Sequence, residues 1–165
     1  MSFKPVFNNN GAAINTDIEA NIVRNWIQTN WSVAGIASSK VDFAFLNDQM
    51  QWEGKSYVLN FYSDPPRKAD FEVSPNSKEY RTRVIIDVWV NDEPSYTNGI
   101  ISPDLIKIHK WLEQFIDLNP MGLRNAGIGQ VDSESYNFIP FTESDDIFWF
   151  HYNHFVLLHY LLVKQ

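Results

Sequence analysis

The chain contains no cysteine. This excludes disulfide frameworks, thiolate metal sites and cysteine nucleophiles at once, and it suits a reducing compartment such as the cytoplasm. Long hydrophobic runs are also missing. The longest apolar stretch, Phe155 to Val163, is interrupted by His159 and falls short of the roughly 20 residues that a membrane span requires. The N-terminal residues Met1 to Gly11 hold one lysine and no apolar core segment, so they do not read as a secretory signal. Glycine is sparse, 7 of 165 residues, and no repeat, Pro-rich or Gly/Ser-rich linker or charge block divides the chain. No Gly-x-Ser-x-Gly elbow, Walker pattern or Gly-x-Gly-x-x-Gly loop occurs. Ser-His-Asp catalysis and phosphate cradling therefore have no sequence anchor. Positive charge is the minority, with 13 Lys and Arg against 20 Asp and Glu and a net charge of -7. A nucleic-acid coat or a polybasic membrane binder is disfavoured on that ground.

What the chain has in quantity is aromatic residues: 12 Phe, 7 Tyr and 6 Trp, 15% of the total. Such side chains build core and also concentrate at subunit contacts. Local patterning shows where many of them go. Thr16-Asp-Ile-Glu19 has the form of a capping box, and Ile18, Ile22 and Trp26, widened by Val23 and Ile27, predict an amphipathic helix over 16–30. A second helix opens at Ser102-Pro103-Asp104 and ends at Asn119-Pro120. Leu105, Ile108, Trp111, Leu112, Phe115 and Ile116 share its apolar face, and Lys107, Lys110, Glu113, Gln114 and Asp117 cover the other.

Alternation governs the rest. Val41 to Phe45 and Tyr57 to Phe61 read as strands joined by a hairpin whose tip is Glu53-Gly54. Tyr80 to Val90 reads as a long strand, charged in its first half and buried on both faces in its second. Strands over 130–141 and 147–162 close the chain around a turn at Thr142 to Asp146. The expected fold is α+β: an antiparallel sheet of about four to six strands with two helices packed on one face. Residues 1–13 form an N-terminal tail to a single domain over 14–165. The spacers between strands favour antiparallel pairing over parallel crossovers. The segment Asp64 to Ser77 carries three prolines and reads as a protruding contact loop.

Several groups could carry chemistry. His151, His154 and His159 lie close in sequence, but on a strand His154 points away from the other two, which are on the order of 26 Å apart. His109 falls at the edge of the second helix's apolar face. Asp42 or Asp48 with Glu53 and Lys55 has the outline of a Mg²⁺-dependent nuclease site, in which the carboxylates hold the ion and the lysine orients water. Glu53 at a hairpin tip is poorly placed for that. Glu143, Asp145 and Asp146 suit a solvated turn better than a Ca²⁺ loop. Arg81 and Arg83, with Arg67, Lys68 and Lys78, form the best basic cluster and could meet a phosphate or a partner carboxylate. Trp31, Trp52, Phe71 and Tyr96, near element ends or in the long loop, remain available for a subunit surface or, alternatively, for the partner of a generic protein-binding adaptor domain.

The order of elements resembles a known family. A helix beginning Ile18-Glu-Ala-Asn-Ile-Val-Arg-Asn-Trp26, a hairpin, the strand Tyr80-Arg-Thr-Arg-Val-Ile-Ile-Asp-Val-Trp-Val90, and a helix over 106–118 leading to closing strands together resemble the tail terminator and tail-completion proteins of tailed bacteriophages and related archaeal viruses. The likeness is architectural and spans about residues 16–163. It implies a non-enzymatic, cofactor-free ring, commonly a hexamer, within the virion tail or neck and assembled in the host cytoplasm. Such a ring sits on the major tail tube protein, ends tube polymerisation and offers the head–tail connector a docking face. Arg67, Lys68, Phe71, Glu72, Arg81 and Arg83 are then the expected assembly contacts, and a strongly acidic ring lets DNA pass without specific binding.

Overall fold

Helix α1 (Ile18–Asn30) forms where apolar residues recur every third or fourth position. That spacing turns Ala20, Val23 and Ile27 fully inward, with Ile22 and Trp26 almost as deep. The computed structural model describes residues 3–5, 18–45, 56–64, 69–74, 77–119, 121–124, 128–139 and 148–164. Thr16 lies outside them. The carboxylate of Glu19, expected in a capping box, accepts the Tyr160 hydroxyl at 2.6 Å.

Helix α3 (Pro103–Leu118) follows the same logic, with Leu105, Ile108, Leu112 and Ile116 completely buried. Ser102 occupies its N-cap position, but the hydroxyl donates to Asp92 at 2.7 Å and caps nothing. Asp92 caps a short helix the sequence pattern did not announce, α2 (Glu93–Thr97), by accepting from the Ser95 backbone N–H at 3.2 Å. Burial opposes ionisation of Asp92, yet the hydrogen bonds from Ser102 and Ser95 hold its carboxyl below the ordinary range. A single turn, α4 (Met121–Arg124), follows α3.

The fold class is α+β, and one sheet holds the seven strands found among the described residues. These are β1 (Phe3–Pro5), β2 (Val41–Phe45), β3 (Tyr57–Ser63), β4 (Ala69–Ser74), β5 (Ser77–Asn91), β6 (Ile128–Ile139) and β7 (Trp149–Lys164). Their main order is β1-β7-β5-β3-β2, with β4 also on β5 and β6 also on β7. The long pair β5–β7 forms the spine, in register from Ser77 opposite Val163 to Asn91 opposite Trp149.

Several expectations are corrected. The sheet is mixed, because β2 and β3 run parallel, with Val41 beside Tyr57 and Phe45 beside Phe61. No hairpin joins them. The eleven residues 46–56 between these strands can reach about 36 Å when extended, ample for returning along a five-residue strand of about 17 Å. The segment over 64–77 is not a plain loop, since β4 pairs antiparallel with β5, from Ala69 opposite Arg81 to Ser74 opposite Ser77. Pro65 and Pro66 precede β4 and Pro75 follows it, so no proline interrupts the ladder. The N-terminal tail also contributes to the sheet through β1, Phe3 opposite Lys164. With β1 and β4 added, the strand count exceeds the expected four to six.

Both long helices pack on one face of the sheet, as anticipated. Val84, Ile86, Val88 and Val90 of β5, Leu59 and Phe61 of β3, and Phe150, Tyr152, Val156, Leu158 and Tyr160 of β7 join α1, α3 and Leu123 in one core. Each fully buried Leu, Ile or Val contributes about 1.5–3 kcal/mol of hydrophobic stabilisation. Tyr160 fastens α1 to the sheet, since its hydroxyl also lies 3.1 Å from Thr82 Oγ1. The second half of β5 is deeply buried on this face only. On the other face Ile85, Asp87 and Trp89 are half-buried.

Candidate functional site

Strand alternation puts the odd-numbered residues of β5 and β7 on the face opposite the helices. There the cross-strand register brings Asn60, Asp87 and Asn153 into one row and Val58, Trp89 and His151 into the next. Asp87 is the hub. His151 Nε2 approaches its Oδ1 at 3.3 Å, and both side chains are 15% exposed. The His151 ring stacks on Trp89 with centroids 3.9 Å apart and planes 11° from parallel. Tyr62 also hydrogen-bonds to Asp87. Burial, then the negative charge and hydrogen bond of Asp87, then the charge of Asp64, push its phenol up to about 12. Tyr62 therefore remains a neutral donor at physiological pH.

Two rows further, Arg83 Nε donates to Asp64 Oδ2 at 3.0 Å and its guanidinium pairs with the same oxygen. The Arg83 guanidinium carbon also sits 4.6 Å above the centre of the Phe155 ring. The Oδ1 atoms of Asn60 and Asn153 are buried with no hydrogen-bond partner among the described residues. This face offers acceptor oxygens, a neutral phenol and stacked rings, all positioned by strands.

The predicted site residues divide as follows. Arg81 and Arg83 lie on β5, and Phe71 and Glu72 lie on β4, opposite Glu79 and Lys78. The β4–β5 pairing therefore gathers four of the six expected contacts. Arg67 and Lys68 lie outside the described residues. Of the nuclease outline, Asp42 lies half-buried on β2, beside Val58 of β3. Asp48, Glu53 and Lys55 lie outside the described residues, as do Glu143, Asp145, Asp146 and Trp52.

The histidines separate as strand geometry requires. His151 faces the Asp87 row, whereas His154 is completely buried beneath the helices. His109 joins the buried group from α3, its ring 5.1 Å from Tyr152 and 6.1 Å from His154. Burial, with the nearby His109 as a smaller cause, pushes His154 down to about 3.

Trp31 and Tyr96, expected at a subunit surface, are instead packed against the core. Trp31 donates to the Ile36 carbonyl at 2.8 Å and meets Phe43 edge-on at 5.4 Å. Among the described residues the large exposed hydrophobics are Ile100, Ile101, Ile106, Leu118 and Met121, all on α3 or within three residues of its ends. A signal for two of them stood in the sequence: Ile106 and Leu118 fall outside the apolar stripe of their own helix. Comparison with known proteins finds no match, either to a family model or to a curated sequence.

Proposed function

We propose that the protein is a non-enzymatic assembly subunit that closes into a ring at the head-proximal end of a viral tail, ends tube polymerisation and docks the head connector. The resemblance in element order suggests this reading, and one observation carries it. The two spine strands are longer than either helix packed on them. Strands β5 and β7, of 15 and 16 residues, extend about 50 Å, while α1 and α3, of 13 and 16 residues, cover only about 20 and 24 Å. A solitary domain gains nothing from strand length that its own second layer does not bury. A subunit that lays its sheet against neighbours does.

The β4–β5 pair, with Phe71, Glu72, Arg81 and Arg83, lies at the Ser77 end of that spine and supplies one contact region. In this reading the tube protein and the connector meet opposite rims of the ring, and DNA slides through an acidic channel without specific contacts. Mass photometry across a concentration series tests the proposal. A closed oligomer of uniform subunit number is expected, with rings visible by electron microscopy. A protein that stays monomeric at its solubility limit overturns it.

A further inference from the structure

Among the described residues, the large exposed apolar side chains lie at opposite ends of α3: Ile100, Ile101 and Ile106 at the N-terminal end, and Leu118 and Met121 at the C-terminal end. Leu118 is 77% exposed and Met121 57%. The exposed charges of the helix sort the same way, with Lys107 and Lys110 toward the first patch and Glu113 and Asp117 toward the second. Asp104, the acid of the first turn, is engaged by the Tyr57 hydroxyl at 2.7 Å and by Lys107 at 3.5 Å.

This order runs against helix energetics. Cations stabilise the C-terminal end of a helix and anions the N-terminal end, yet the last turn of α3 has no basic residue and contains Asp117. Lysine placed before glutamate is also the weaker orientation of an intrahelical pair. The pattern does make sense between molecules, because the basic, apolar end of one copy complements the acidic, apolar end of another. Ile106 and Leu118 are twelve residues apart, so they lie about 18 Å apart along the axis and face directions about 120° apart around it. A single two-fold partner would have to reach a third of the way round the helix to cover both, whereas two different neighbours each meet one.

We propose that copies of this chain join head to tail through α3, the Leu118–Met121 end of one copy seating on the Ile100–Ile101–Ile106 end of the next. Lys107 and Lys110 face Glu113 and Asp117 across the joint. This deepens the assembly reading above and rests on it.

The cysteine-free sequence provides a clean test. Ile106→Cys and Leu118→Cys variants, mixed and treated with a short bismaleimide, should cross-link to each other, while neither alone should form a homodimer. The double variant should yield a covalent ladder longer than a dimer. Homodimers from either single variant, or a double variant that stops at monomer or dimer, overturn the head-to-tail joint. In parallel, Lys107→Glu/Lys110→Glu and Glu113→Lys/Asp117→Lys should each weaken assembly about tenfold or more, and mixing the two should restore it. A wild-type ring that none of these changes affects removes the joint but leaves the assembly reading standing. A monomeric wild type removes both. Circular dichroism of each variant confirms folding at these exposed positions.

Discussion

Acid should unfold this protein partly through one buried imidazole. His154 has no solvent exposure, and burial, helped by His109, pushes its pKa down from 6.5 to about 3. Above pH 6.5 the group is neutral in both the folded and unfolded chain and contributes no pH dependence. As the pH falls below that value the unfolded chain takes up a proton that the folded chain refuses, so stability is lost with decreasing pH until the folded pKa is reached. Each pH unit in this window is worth about 1.36 kcal/mol. Between about pH 7 and pH 5, the loss from His154 alone is about 2 kcal/mol, or about 4–8 °C in melting temperature for a chain of this size. Urea denaturation of the wild type and of His154→Gln at several pH values isolates the effect, since every other titrating group is common to both. The wild type should lose about 2 kcal/mol more than the variant over that range. Parallel pH profiles would refute the argument that an uncharged imidazole is locked beneath α3.

Three further outcomes follow from the packing. A Cβ added at Gly122 would lie 2.9 Å from Trp26 Cδ1 and closer still to Nε1, and Trp26 is itself pressed on Phe115 at 4.7 Å. Gly122→Ala should therefore cost about 1–3 kcal/mol in a thermal melt, with a change in tryptophan fluorescence; an unchanged melt would mean that the indole yields freely. Tyr160→Phe removes the hydroxyl contacts to Glu19 and Thr82 and should lower stability by about 1–2 kcal/mol in urea; a neutral result would show that this bridge does not hold α1 to the sheet. Asp64→Asn should cost less than about 1 kcal/mol, because the Arg83–Asp64 side chains are 25% and 22% exposed and solvent screens the pair. A double-mutant cycle coupling well above that value would show the pair to be more desolvated than its exposure indicates.

Much of the secondary structure is legible in local spacing. The apolar stripes of α1 and α3 and the alternation of β5 and β7 each depend on neighbours within a few residues, and the helices and strands appear close to where those periods place them. The β2–β3 pairing was not legible. Val41–Phe45 has the same alternation whether its neighbour runs parallel or antiparallel, and an eleven-residue connection is long enough for either. Prolines misled at 64–77, because they mark the ends of β4 and not its interior. The candidate site was half legible: Arg81 and Arg83 are visible as a basic pair, but the Asp64 carboxylate paired with Arg83 arrives from β3. Aromatic excess pointed to Trp31 and Tyr96 as surface, whereas tertiary packing buries much of both.

By itself the sequence determined an acidic, cysteine-free α+β chain, its two amphipathic helices, its long central strand and the separation of His154 from His151 and His159. These are consequences of composition and of periods no longer than a helical turn. Only the tertiary structure decided that Tyr160 would meet Glu19 across 141 positions, that Asp87 would gather Tyr62 and His151 on the sheet face opposite the helices, and that the large exposed hydrophobics among the described residues would collect at the two ends of α3. Those outcomes depend on which distant strands exchange hydrogen bonds and in what register. No local pattern encodes that choice, because a strand's alternation names the face it buries and not the neighbour it pairs with.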